Sequence, residues 1–158
     1  MRTIDRISIR APLDRVFALA RDVERWPEIL PHYRWVRMLE RRPDGGRVEM
    51  AAWRTFGPAP LRYPAWWVSE MSVEPDGGHP LIRYRHVAGI TAGMDVCWQL
   101  TEATGGGVAV EIVHQWNGPA WPLIGRLAAQ LVIGPVFVHG IASRTLAGIR
   151  ARAEGEAA

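Results

Sequence analysis

Between Thr3 and Arg10, Ile7 and Ile9 alternate with Ser8 and Arg10, and this period of two predicts a strand. The period changes after Ala11-Pro12. Val16, Phe17, Leu19 and Ala20 recur at helical spacing, and Pro12 suits the first turn of a helix that runs through Ala20. Asp22 is the natural cap of a second short helix, which reaches Leu30 and is stopped by Pro31. Strand-like stretches follow at Tyr33 to Arg42, Arg47 to Phe56, Arg62 to Glu74, Leu81 to Val87, Gly93 to Thr101 and Val108 to Trp116. The glycine clusters between them, such as Gly45-Gly46, Gly77-Gly78 and Gly105-Gly106-Gly107, read as turns between antiparallel strands. None fits a phosphate-binding GxGxxG or GxxxxGK pattern. The last third turns helical. Pro122 to Ile133 predicts one short helix, and Pro135 opens another that runs to about Ala153. Its apolar stripe is Val138, Ile141, Ala142, Thr145 and Ile149, with Arg144, Arg150 and Arg152 opposite. The expected fold class is α+β: an antiparallel sheet of about seven strands, two short helices after the first strand, and a long C-terminal helix over residues 136–152. Gly140 and Gly148 interrupt that helix, where a strand or a ligand is expected to approach closely.

The same alternation assigns the faces of the sheet. Glu111 and Gln115 mark the outer face of the last strand, so Val110, Ile112, His114 and Trp116 point inward. By the same argument Met94, Val96, Trp98 and Leu100 point inward, as do Ile82, Tyr84 and His86. Tyr63, Ala65, Trp67, Ser69, Met71 and Val73 share the inner side of their strand. The parity of Arg47 to Phe56 is less clear; opposite Glu49 lie Val48, Met50, Ala52 and Arg54. The inner face is thus aromatic with a few polar groups. A histidine buried without a partner costs a few kcal/mol. Two readings stand: these groups border a cavity open to ligand, or they sit hydrogen-bonded and inert near strand ends.

Composition narrows the chemistry. The chain has 158 residues, 48% apolar and 22% charged, which suits one domain over residues 1–158. Cys97 is the only cysteine, so no internal disulfide is possible; its parity is outward, where a nucleophile would lack a pocket. All 19 basic residues are arginine, which excludes Schiff-base and P-loop lysine chemistry. Eight tryptophans stand against three Phe and three Tyr, a composition suited to a pocket for a flat ligand or to an aromatic core. The net charge is only +3, with arginines and acids interleaved, so no nucleic-acid footprint is expected. The N-terminal stretch has no apolar signal core, and the apolar run Trp121 to Ala142 is broken by Arg126 and Pro135. A cytoplasmic protein without stable membrane insertion is the expectation. The histidines at 32, 79, 86, 114 and 139 lack paired ligand spacing, so neither a metal nor any other cofactor is expected. There is no GxSxG elbow. The oligomeric state is left open between monomer and homodimer.

Two motifs carry a resemblance. Ala11-Pro12-Leu13-Asp14-Arg15-Val16-Phe17 followed by Asp22-Val23-Glu24-Arg25-Trp26-Pro27-Glu28-Ile29-Leu30-Pro31-His32-Tyr33 resembles the polyketide cyclase/dehydrase family of the START/Bet v 1-like helix-grip superfamily. Gly93 to Trp98 and Arg144 to Ile149 are similar to it as well. The resemblance implies a sheet wrapped around the C-terminal helix, with an apolar cavity between them. By similarity Trp26, Tyr33, Trp67 and Trp98 match cavity-lining positions, with Tyr33 a hydroxyl donor at the mouth. Where catalytic cyclases tend to carry inward arginines, this chain has Met71 and His86.

The expected ligand is a hydrophobic, polyketide- or lipid-like molecule. His86, His114 and Tyr33 are the expected catalytic groups of a cyclase/dehydrase. Trp26, Trp67, Ser69, Met71, Tyr84, Trp98, Ile112 and Trp116 are the expected ligand-binding residues, in a pocket of roughly 300–1,000 Å³. The rival is a non-catalytic carrier of a lipid or isoprenoid quinone.

Overall fold

The computed structural model describes residues 1–55, 62–74, 79–118 and 138–155, with the side chains of Arg54 and Thr55 excepted. The helix expected at Pro122 to Ile133 and the helix start at Pro135 lie outside the described residues, as does the inward placing of Arg54. The chain runs β1 (Arg2–Ile9), α1 (Leu13–Arg21), a 3-10 turn (Val23–Arg25), α2 (Trp26–Ile29), β2 (Tyr33–Arg42), β3 (Gly45–Thr55), β4 (Arg62–Glu74), β5 (Leu81–Gly89), β6 (Asp95–Glu102), β7 (Val108–Gln115) and α3 (His139–Glu154). The second short helix is therefore two pieces. Pro27 sits in the first turn of α2, and Asp22 makes no side-chain cap, its backbone being outside the extended region a cap needs.

The strands form one antiparallel sheet in the order β1-β7-β6-β5-β4-β3-β2. Strands β2 to β7 follow one another as a meander, and β1 closes onto β7 from the far end of the chain. Gly45 and Gly46, expected as turn residues, instead open β3 at φ of +148° and +143°. A Cβ on Gly46 would lie 2.0 Å from the Glu40 carbonyl oxygen, and one on Gly45 2.1 Å from that of Met71. Only glycine lets the three strands approach there.

The assigned parity holds on the inner face. Val110, Ile112, His114, Trp116, Val96, Trp98, Leu100, Ile82, Tyr84, Trp67, Ser69 and Met71 are all buried. Tyr63 is the exception: it has the inward parity but is 55% exposed, because β4 extends there past the covered part of the sheet. The outer face carries Arg47–Glu70, Arg83–Glu74 and Arg85–Asp95 ion pairs, and Arg34 lies between the Trp35 and Trp53 rings. Such exposed pairs stabilise little individually.

Helix α3 packs on the inner face through Ala142, Thr145, Leu146, Ile149 and Ala153. Gly155, left-handed at φ +85°, terminates it. Glu154 accepts a hydrogen bond from the Arg10 backbone N–H at 2.8 Å, which ties the end of α3 to the end of β1. Gly148 is closely approached, but by Leu30 at the end of α2 rather than by a strand or a ligand. Gly140 faces open space instead, so nothing approaches there. Among the described residues no helix is long and apolar enough to cross a membrane.

Candidate functional site

A cavity of about 70 Å³ lies between the sheet and α3. It is smaller than the expected pocket because bulky rings fill the inner face. Its described walls include Trp26 from α2, Tyr33 from β2, Trp67 from β4, Tyr84 and His86 from β5, Trp98 from β6, Ile112 and His114 from β7, and Thr145 from α3. Five rings form a continuous run. Trp98 and Trp26 have centroids 5.7 Å apart, Trp26 meets Tyr33 edge-on at 5.1 Å, Tyr33 meets Trp67 at 6.3 Å, and Trp67 stacks on His86 at 6.0 Å and 15°. These are the offset and T-shaped separations that aromatic quadrupoles favour.

Three of the expected ligand-binding residues lie elsewhere. Ser69 is wholly buried, and its hydroxyl has no hydrogen-bond partner, but it is not part of the cavity wall. Met71 borders a surface groove with Ala18, Val23 and Met38. Trp116 donates its indole N–H to the Ala92 carbonyl at 3.0 Å and thereby holds the β5–β6 connection. All three are buried, and Ser69 and Met71 pair across the ladder with His86 and Tyr84, which do line the cavity.

The polar groups of the wall are held in defined ways. His86 Nδ1 is 2.6 Å from the Thr91 hydroxyl, and burial pushes the imidazole down to about 4. His114 is pushed down to about 3, first by burial and then by its proximity to His86. Both rings are therefore neutral near pH 7. Tyr33 is buried rather than at a mouth. Burial raises its phenol well above the ordinary value, so it remains a donor. The Tyr84 phenol is raised likewise, by burial and then by Tyr33, and its hydroxyl has no partner.

Other groups at the site carried weaker sequence signals. Thr145 donates to the Ile141 carbonyl at 2.9 Å, which leaves its oxygen to accept from His32 Nε2 at 3.0 Å. His32 is itself pushed down to about 4, mainly by burial and then by the Arg144 charge. Thr91 sits in the β5–β6 turn, with no periodicity to announce it. Asp5 is the acid at the site. It shares the parity of Ile7 and Ile9, which places it on the inner face opposite Ile112. Its side chain is only 2% exposed. Cys97 is half-buried on the outer face beside Arg83, and burial raises its thiol.

Chemically, the site offers an apolar slot with neutral imidazoles and un-ionised phenols at its edge. That combination can accept and return protons and can hydrogen-bond oxygen atoms of a flat ligand.

Solved structures share this architecture. An aromatase/cyclase from a Streptomyces species superposes with a TM-score of 0.67 at 17% identity, covering 99% of both chains. A STAR-related lipid transfer protein from Xanthomonas axonopodis gives 0.64 at 16% identity, over 96% of this chain and 84% of that one. A Thermus thermophilus protein gives 0.77 at 19% identity, over 98% of each. At these identities the likeness is one of fold. No curated protein matches the chain in sequence. The sequence pattern of the family described as "Polyketide cyclase / dehydrase and lipid transport" matches residues 9–134, most of the chain, and the protein belongs to that family.

Proposed function

We propose that the protein takes a flat, apolar molecule bearing ketone oxygens into the cavity under α3 and promotes its enolisation and dehydration. The observation that carries this reading is the presence of two neutral imidazoles, His86 and His114, in one apolar wall with the phenols of Tyr33 and Tyr84. In this reading a neutral imidazole removes a proton from a methylene between two carbonyls. Tyr33 donates a hydrogen bond to the enolate oxygen that develops. Where the molecule carries a hydroxyl β to the enolised carbonyl, the enolate electrons form the new C=C bond as the C–O bond breaks, and the imidazolium returns its proton to the hydroxyl, which leaves as water. General acid–base help of this kind contributes about 10²–10⁴ in rate. The family includes cyclases, and one fold neighbour is described as an aromatase/cyclase.

The second reading is a carrier that binds the same class of molecule without reaction. What favours it is the absence of charged side chains among the described cavity walls. In both readings the ligand must displace wall side chains, since about 70 Å³ is far below the roughly 300 Å³ at the lower end of small-molecule sites.

His86→Ala and His114→Ala separate the two. Affinity is read by tryptophan fluorescence with quinones, polyphenols and fatty acids, and turnover with a synthetic oligoketide. Turnover lost with affinity kept supports catalysis. Affinity lost in parallel, with no turnover by the wild type, supports the carrier. No response to any compound in the panel argues for a closed core and against both.

A further inference from the structure

Asp5 enters the inner face from β1, diagonal to His114 of β7; the register pairs Asp5 with Ile112 and Thr3 with His114. Diagonal neighbours across a ladder are within reach of long side chains. The two carboxylate oxygens of Asp5 have different surroundings. Oδ1 accepts a hydrogen bond from the Nδ1–H of His139, in the first turn of α3. Oδ2 is buried, has no hydrogen-bond partner, and lies 3.9 Å from His114 Nδ1. That nitrogen is also buried without a partner. A gap of 3.9 Å is too long for a hydrogen bond and too short to hold a water between the atoms. A small rotation of either side chain closes it. Two facing orphans of this kind are high in energy when apart and low when joined.

We infer that Asp5 is the positioning residue of His114: it takes the Nδ1–H and thereby presents Nε2 to the cavity as the base. The inference rests on the acid–base reading of the cavity and adds a residue to it. The carboxylate does not touch ligand. It selects the tautomer and faces the cation formed when Nε2 gains a proton. His139 occupies the other oxygen, so Asp5 cannot turn away without breaking that bond. His139 is 64% exposed and belongs to α3, so the orientation of a buried imidazole is tied to the seating of the helix.

The test is two-bond proton–nitrogen correlation spectroscopy of the whole protein, with the His114 ring assigned through His114→Gln. The expected wild-type spectrum shows the proton on Nδ1 and a bare Nε2. In Asp5→Asn, His139 continues to donate to the side-chain oxygen, so the amide N–H₂ turns toward His114. The ring is then expected to carry its proton on Nε2, and oligoketide turnover to fall by about a hundredfold or more while ligand affinity changes less than about threefold. A wild-type ring protonated on Nε2 overturns the inference, and needs no Asp5 variant to fold. So does an unchanged tautomer in folded Asp5→Asn. If the wild type turns over no oligoketide, the catalytic reading fails separately, and the two spectra still decide whether Asp5 holds His114.

Discussion

Lowering the pH from neutral removes the condition on which the cavity depends, and the size of the effect follows from its two histidines and from His32 behind Thr145. Burial holds His32 and His86 near 4 and His114 near 3, against 6.5 for an unhindered imidazole. In the unfolded chain each takes a proton as the pH passes down through 6.5; in the folded protein none does until about 4. Between those values the unfolded state binds up to three more protons, so the stability is complete above 6.5 and declines as the pH falls. The slope is at most about 1.4 kcal/mol per pH unit for each ring, or roughly 4 for all three. Asp5 acts in the opposite sense. Burial raises its carboxyl, so the folded state takes that proton first, which flattens the slope at the acid end. From pH 6 to pH 5 the expected loss is about 3 kcal/mol, a large share of the roughly 5–15 kcal/mol that holds most proteins folded. In a protein of this size that lowers Tm by roughly 10 °C. Thermal and urea unfolding at fixed ionic strength, followed by far-ultraviolet circular dichroism, measures it. His114→Gln is expected to reduce the slope by about one proton. Stability that varies by less than about 1 kcal/mol between pH 7 and pH 5 would mean that the three rings are hydrated, and the case for neutral bases in a dry cavity would fail with it.

Gly148→Ala and Gly140→Ala should move Tm in opposite directions. A Cβ at 148 would come within 2.3 Å of Leu30 Cδ2, an overpacking cost of about 1–3 kcal/mol against a helix gain of about 1, whereas nothing lies within 4 Å of one at 140. Equal stabilisation by both would show that Leu30 yields freely. Tyr84→Phe removes a buried hydroxyl that has no partner, so the free protein should gain about 1 kcal/mol while affinity for oxygen-bearing ligands drops; unfolding curves and fluorescence titrations read the two effects. Binding of a quinone should quench tryptophan emission, and Trp67→Phe should remove much of that response, because the Trp67 ring stands in the wall between Tyr33 and His86. An undiminished response in that variant would place the ligand elsewhere.

Alternation along the strands was enough to assign the inner face, because a residue of wrong parity on a covered sheet exposes an apolar group or buries a charge. The ends of β2 and β4 were legible for a similar reason: proline or glycine punctuates both. Which inward positions reach the cavity was not legible. Trp67, Ser69 and Met71 share one parity, yet only Trp67 reaches the cavity, although Ser69 and Met71 pair with His86 and Tyr84, which line it; parity gives the face and not the place of the open space within it. Tyr63 failed by the same rule at the strand's other end. Asp5 was legible in principle. It alternates with Ser8 and Arg10 as Ile7 does, and an acid at an inward position is the strongest local contradiction in β1. The apolar signal of β1 comes from Ile7 and Ile9 alone, which leaves the position of Asp5 unmarked.

The closure of β1 onto β7 also bears on how the protein is made. Arg2 pairs with Gln115 and Ile9 with Val108, so this ladder joins one segment to another that is synthesised about a hundred residues later. The β2–β7 meander can form from neighbouring hairpins as it leaves the ribosome, but β1 must wait with an unsatisfied edge. Contacts of such long sequence separation slow folding and leave strand edges open to wrong partners. Asp5 lies on β1, His114 on β7 and His139 on α3, so the three side chains come together only at the last closure. Conditions that speed translation or delay the docking of α3 should therefore first yield chains with an ordered meander and an unassembled centre.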